Sequence, residues 1–475
     1  MGDPITTFKG ILILLSFTGL IIPLFDHRKE SRRKLGFYIC ICCLVATLAL
    51  LTSLTLALSN SLESVYAFND LLRLDTYSAY LAMLVTFGAL LVAIASSAEM
   101  VQWPTALSSY SLMILALAGI NVMLFVNDAS VLLGAWALVA VASYVLAGIK
   151  KDFSSVQGAA KYGIMGAASS SLLVYGLALV LGITGTSQFA FNLDLIPANA
   201  EIIFLGAMLL VSSFGFKLGV FPFHGWLPDV YGGIHPILVS YIAGVVKMAG
   251  IAGLLRVVVP LYGVVGTKWI PTLAVFSLAT MTFGNLVALL QKNVQRMMAY
   301  SSIAHAGYIL IGFSAIAGPE SELAFQGIAL HLTTYVLAKI GIFVALAYLM
   351  RRGVNLSLEG MSGLGRKMPV ISGSLSILVL SLMGFPPLLG FWSKFMYLFL
   401  SASDIAPWLA LAGVLNSGIS VGYYAQVIRY LYFKSPAEEI REKKGDPEVL
   451  VAVIAALLTI LLGLGPFSLI LSVIQ

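Results

Sequence analysis

Charge is scarce in this chain. Asp, Glu, Lys and Arg make up only 10% of its 475 residues, hydrophobic residues make up 60%, and mean hydropathy is +0.98. A soluble domain carries about 25% charged residues, so a water-soluble fold is excluded. No Asp or Glu lies in the interior of the long apolar runs, so any charge buried there is basic. There are three cysteines, Cys40, Cys42 and Cys43, together inside one apolar run. No His or further Cys accompanies them at ligand spacing, which argues against a metal or iron–sulfur site. The chain also lacks a c-type haem motif, a phosphate-cradling Gly loop and a catalytic triad. The net charge of +6 is not clustered on one basic face, so no nucleic-acid partner is expected.

What the chain has instead is a series of apolar runs near the length that a hydrocarbon core of roughly 30 Å requires. They predict an all-α membrane protein with fourteen spans, at 8–25, 36–58, 75–97, 105–126, 129–149, 160–183, 202–221, 236–258, 270–290, 298–317, 322–350, 369–402, 405–432 and 448–472. The first run, Phe8 to Phe25, has no small-residue cleavage site and reads as a retained helix. The twelfth is too long for one straight crossing and contains Gly384-Phe385-Pro386-Pro387, so it reads as broken, because proline removes a backbone donor. The seventh ends in Gly219-Val220-Phe221-Pro222-Phe223-His224 and is expected to break as well.

Basic residues alternate between loops. One set holds Arg28, Lys29, Arg32, Arg33 and Lys34, then Lys150, Lys151 and Lys161, then Lys292 and Arg296, then Arg351, Arg352, Arg366 and Lys367, and finally Arg429, Lys434, Arg441, Lys443 and Lys444. The other set holds only Lys9, Arg73 and Lys268. The positive-inside rule places the first set in the cytoplasm and both termini on the outer side of the cell membrane.

Five basic residues remain, and they lie inside apolar runs: Lys217, Lys247, Lys339 and Lys394, with Arg256 near the end of one. A charge at bilayer depth costs roughly 2.5–3.5 kcal/mol on insertion scales, and such residues mark ion and proton paths. Lys217 precedes a Gly/Pro break, whose freed backbone groups must meet protein or water. The octapeptide Ala142–Ile149 matches Ala306–Phe313, and two spans after each copy comes a broken helix carrying a lysine, Lys217 or Lys394. A unit of five spans is odd, so its two copies are inverted, as in many transporters. The division is 1–104, then a first repeat 105–260, a second 261–432, and 433–475 as loop and last helix.

Several stretches together resemble the antiporter-like N subunit of respiratory complex I and its relatives. They are Ser143–Asp152, Lys161–Ser171, Gly215–Tyr231, Met298–Tyr308, and Gly384–Pro387 with Lys394. The resemblance implies fourteen helices, two inverted five-helix repeats and broken helices seven and twelve. It implies a mid-membrane proton path in which Lys217, Lys247 and Lys394 match the family's lysines. Lys339 is a further candidate, its structural alternative being a lysine bonded to a neighbouring carbonyl. His305, His331 and His224 are candidate relays, since imidazole titrates near neutral pH, with His224 at a proton inlet. His235 reads as a loop residue.

One departure stands out. The family's helix-five glutamate falls on Ala137, and Asp128 is too far along the helix to replace it. Lys217 is then expected to be unpaired or paired from another chain. The implied function is a proton-translocating N subunit of a redox-driven enzyme, taking electrons from NADH, F(420)H(2) or ferredoxin to a quinone or phenazine. It would be a non-redox translocase subunit with no cofactor of its own. Iron–sulfur clusters and flavin are expected in partner subunits. The expected partners are antiporter-like M and L types, small K, J and A types, a peripheral redox arm and lipid. The alternative is a subunit of a multisubunit cation/proton antiporter. A third reading, a membrane spacer without a path, leaves four buried lysines without a purpose.

Overall fold

The structure, a computed structural model, describes residues 3–25, 28–61, 64–189, 191, 200–265, 268–435 and 445–474. Arg441, Lys443 and Lys444 of the last basic loop lie outside the described residues. The first half runs α1 (Pro4–Ile21), α2 (Glu30–Ser61), β1 (Val65–Ala67), β2 (Leu72–Leu74), α3 (Thr76–Ser96), α4 (Ala106–Phe125), α5 (Ala129–Ala147), α6 (Phe153–Thr184), α7 (Ala200–Leu218), α8 (Trp226–Gly233) and α9 (Pro236–Leu261). The second half holds α10 (Trp269–Leu289), α11 (Val294–Ala315), α12 (Ser321–Arg351), α13 (Pro369–Met383), α14 (389–401), α15 (Pro407–Phe433), α16 (Pro447–Gly463) and α17 (Phe467–Ile474). Among the described residues ten helices are long and apolar enough to cross a membrane, or eleven if the bent pair α16–α17 counts as one span. The helices α11 and α15 are also long but carry more polar side chains.

The helix starts have local causes. Asp75, Asp128 and Asp152 each accept a backbone N–H from the first turn that follows, capping α3, α5 and α6. That cap extends α6 back to Phe153, so Lys161 lies on the helix, paired with Asp229 at 2.6 Å, and not in a loop as expected. The antiparallel β1–β2 hairpin is an exception to an all-helical chain. It turns through Phe68, Asn69 and Asp70 with positive φ, a region Asn and Asp tolerate.

Both expected breaks are present. The helix α7 stops at Leu218 and α13 at Met383, each followed by a glycine with positive φ, Gly219 (80°) and Gly384 (90°). The last expected span is not straight. It bends by 80° between α16 and α17, where Gly465 and Pro466 interrupt the backbone ladder. Two stretches of α9, Ile242–Val246 and Leu254–Val258, are π-helical, as is Trp392–Leu398 of α14.

Alternate connections meet at opposite ends of the bundle. At one end Arg33 donates to the Val101 carbonyl, Glu99 contacts Lys150 and His235, Arg296 joins the Asp229 pair, Val294 N–H bonds to Leu356, and Arg351 grips Glu448. At the other end Asn127 donates to the Asp70 carbonyl and Ala129 N–H to Ser187. There Arg256 ties Asp75, the Arg73 and Leu124 carbonyls and Ser78 together. At the centre is α12, whose most apolar window is buried along its whole length.

Candidate functional site

All four lysines are buried, with at most 5% of their surface exposed, and His305 and His331 are buried beside them. None of the four makes an ion pair among the described residues. Buried donors must therefore find neutral acceptors. Lys339 on α12 donates to the Met298 carbonyl at 2.9 Å and to Ser301 Oγ at 2.8 Å. Lys247 donates to the Ser302 carbonyl at 3.2 Å. Lys394 donates to the Leu382 carbonyl at 2.8 Å and to Ser417 Oγ at 3.2 Å. Lys217 donates to Ser143 Oγ at 3.2 Å. The carbonyl contacts of three lysines are those of the structural alternative. What goes beyond that alternative is the connection between groups.

From Lys339 a hydrogen-bonded chain runs through protein alone. Ser301 Oγ and Tyr424 Oη are 2.5 Å apart, and Tyr424 Oη is 3.2 Å from His305 Nε2. His305 Nδ1 meets His331 Nε2 at 3.0 Å, and His331 Nδ1 meets Ser393 Oγ at 3.2 Å. Ser393 in turn donates to the Gly390 carbonyl at 3.2 Å. One set of tautomers lets each group donate to the next, from Lys339 to Gly390. Such a chain hands a proton along by reversing its donors in turn. Three helices of the second half and the π-helical α14 supply its members, and every side chain in it is buried.

The surroundings of Lys247 are different in kind. A cavity of about 20 Å³ lies beside Lys247, lined by Leu218, Gly244, Ser302 and Tyr335 among others. That is room for one water, which needs roughly 10–15 Å³. The Tyr335 ring lies 5.5 Å from Lys247 Nζ and 5.8 Å from Lys339 Nζ, between the two amines. Lys217 itself is ringed by aromatic side chains, and Ala137 points outward on an exposed face of α5 with Leu138, Val141 and Val145.

The structure brings His305 and His331 into the site but not His224. That side chain packs between the Phe221 and Phe283 rings, with Nδ1 unpartnered. His235 lies, as expected, in the connection before α9, where it caps that helix, accepting from Ile237 N–H, and contacts Glu99 at 3.2 Å. The apolar sequence of the thirteenth span gave no reason to choose Tyr424, and Ser301, Ser393 and Tyr335 were equally hidden. Only the paired tyrosines Tyr423-Tyr424 in an apolar run were a signal. Arg256 proves to be a fastener for the hairpin, at the edge of a cavity of about 850 Å³ that also involves Arg73, Asp75, Glu322 and Gln326.

Residues 127–420 match a protein family described as NADH:quinone oxidoreductase/Mrp antiporter, TM. The chain is 34% identical to the NADH-quinone oxidoreductase subunit N of Trichlorobacter lovleyi, over 79% of this chain and 78% of that one. It is 32% identical to the F(420)H(2) dehydrogenase subunit N of Methanosarcina mazei, over 96% and 93%. Among solved structures it is similar to a chain of respiratory complex I from Thermus thermophilus with bound Aureothin. There the TM-score is 0.81 and identity 28%, covering 97% of this chain and 98% of that one. A chain of the membrane-bound sulfane sulfur reductase, an archaeal respiratory membrane complex, shares the fold at TM-score 0.88 and 22% identity, covering 98% and 96%.

Proposed function

The chain belongs to the NADH:quinone oxidoreductase/Mrp antiporter transmembrane family, and from that premise we propose that it is the proton-translocating N subunit of a redox-driven, complex I-like enzyme. The observation that carries this reading is the buried chain from Lys339 through Ser301, Tyr424, His305 and His331 to Ser393. A spacer needs its lysines satisfied, but it does not need two histidines and three hydroxyls strung from one of them. Lys217, Lys247, Lys339 and Lys394 are the charge-carrying stations, and His224 serves an inlet at the break after Lys217. The reading includes fourteen spans, with helices broken at the seventh and twelfth. It also includes inverted repeats over 105–260 and 261–432, flanked by 1–104 and 433–475. The subunit sits in the cell membrane with both termini outside. Other membrane subunits and a peripheral arm bearing iron–sulfur clusters and flavin accompany it, and they perform the electron transfer.

The test uses the whole complex purified from its host and reconstituted in vesicles. Redox subunits with flavin and iron–sulfur clusters should co-purify with the chain. Their absence would favour a cation/proton antiporter assembly. Lys247→Ala should assemble and lose most coupled proton transport. Wild-type transport from the assembled variant would overturn the proposal.

A further inference from the structure

The two copies of the octapeptide share a contact that their spacing does not disclose. In the first, the ring of Tyr144 lies 4.8 Å from Lys217 Nζ. In the second, the ring of Tyr308, at the matching position, lies 4.5 Å from Lys394 Nζ. Both lysines belong to the broken helix of their own copy.

Around Lys217 this ring is one of three. Trp136 lies at 5.7 Å and Tyr162 at 5.0 Å, and Ser143 Oγ accepts a hydrogen bond from the amine. The rings are held in place by their own partners. The Trp136 indole N–H donates to Ser170 Oγ at 2.9 Å, and Tyr162 stacks on Trp226 with centroids 4.2 Å apart and meets Tyr144 edge-on at 4.4 Å. The Tyr144 hydroxyl is buried without a hydrogen-bond partner, so what this residue offers the site is its ring face. Gly166 makes room for it. A Cβ there would fall 1.9 Å from Tyr144 Oη and 2.3 Å from Cζ.

We propose that Trp136, Tyr144 and Tyr162 form an aromatic cage that seats the Lys217 ammonium, with Tyr308 as the corresponding seat for Lys394. Aromatic faces attract a desolvated cation through the ring quadrupole. They differ from a carboxylate in what remains when the proton leaves. A lysine that gives up its proton beside a glutamate strands a buried negative charge, which is strongly unfavourable. A lysine that does so inside the cage leaves only neutral groups. The first half of the chain can thus change charge at Lys217 without a compensating carboxylate movement. This inference rests on the proposed function, because it assigns positioning residues to a lysine that carries protons.

The test again uses the reconstituted complex. Position 144 is replaced by Phe, then by phenylalanines bearing one, two and three fluorines, which weaken the ring face with little change in shape. Tyr144→Phe should retain most proton transport, and the series should fall stepwise to about a tenfold loss. A flat series from assembled complexes would overturn the cage. Gly166→Ala, which displaces the Tyr144 ring without altering it, should lose transport too, and unchanged transport would equally overturn it. Lys217→Ala separates the two ideas. If it leaves transport intact, the proposed role of Lys217 falls and the cage with it. If it abolishes transport while the fluorinated series stays flat, the cage alone falls.

Discussion

Tyr424→Phe removes a single oxygen from the middle of the chain. That oxygen bridges Ser301 Oγ at 2.5 Å and His305 Nε2 at 3.2 Å, and in the variant those two groups face each other across a gap too long for a direct hydrogen bond. Lys339 keeps both its acceptors, Met298 and Ser301, so its own burial is undisturbed. The structural cost is one His305 nitrogen and one Ser301 hydroxyl each short of a buried partner, about 1–3 kcal/mol together. The functional cost is larger, because a positioned proton-transfer group contributes roughly 10²–10⁴-fold to a transfer step. Tyr423→Phe is the internal control. Its neighbouring hydroxyl bonds to Asn285 Oδ1 at 3.1 Å and touches the Tyr424 and Ser301 hydroxyls, but it makes no bond to His305 and so does not carry the path onward. Both variants should lose a similar amount of thermal stability in detergent. Only Tyr424→Phe should lose proton transport in vesicles, measured with a pH-sensitive dye while electron transfer is followed in parallel. Equal transport from the two assembled variants would refute the relay.

Three further outcomes are expected. Glu448→Ala removes one carboxylate that Arg351 grips, at 2.8 and 3.1 Å, and leaves the Asp446 pair at 2.8 Å in place, so the variant should be destabilised by about 1–2 kcal/mol in a thermal unfolding series. Burial raises the Glu99 carboxyl, but hydrogen bonding and charge from His235, the charge of Lys150 and the Trp103 N–H outweigh it, taking it from the usual 4.5 down to about 2. A depressed native value means stabilisation that is present above about pH 4.5 and lost as the pH falls toward about 2. Glu99→Ala should therefore cost about 1–3 kcal/mol at pH 7, part of the full shift being screened by solvent, and an equal deficit near the acid limit would contradict this. In a background with Cys40, Cys42 and Cys43 replaced, single cysteines at the termini should react with an impermeant reagent from outside, and one in the 351–367 loop should not; the reverse pattern would invert the topology.

Much of the architecture was legible because membranes impose simple rules. Length and apolarity located the helices, and Gly219 and Gly384 announced the breaks through the residues that follow them. The hairpin was not legible, since three-residue strands carry no periodicity, and neither was the bend before α17, where Gly465 and Pro466 fall inside the one apolar run 448–472. The site was legible in its charges and not in its wiring. A lysine in an apolar run stands out against its surroundings; a tyrosine or serine does not. The start of α6 was misplaced for a local reason: the Asp152 cap begins the helix at Phe153, seven residues before the point where hydropathy puts it, and so carries Lys161 well inside.

The burial of the whole apolar window of α12 has a consequence for biogenesis. This helix carries His331 and Lys339, so it is a poor candidate to rest alone in lipid while the remaining chain is made. Its place in the order of synthesis answers the difficulty. Both acceptors of Lys339, Met298 and Ser301, lie on α11, the helix made immediately before it, and His305 on that same helix meets His331. The walls from α13, α14 and α16 come later. The α11–α12 hairpin therefore contains enough polar pairing to leave the insertion machinery as a unit, with its charge already matched to a partner.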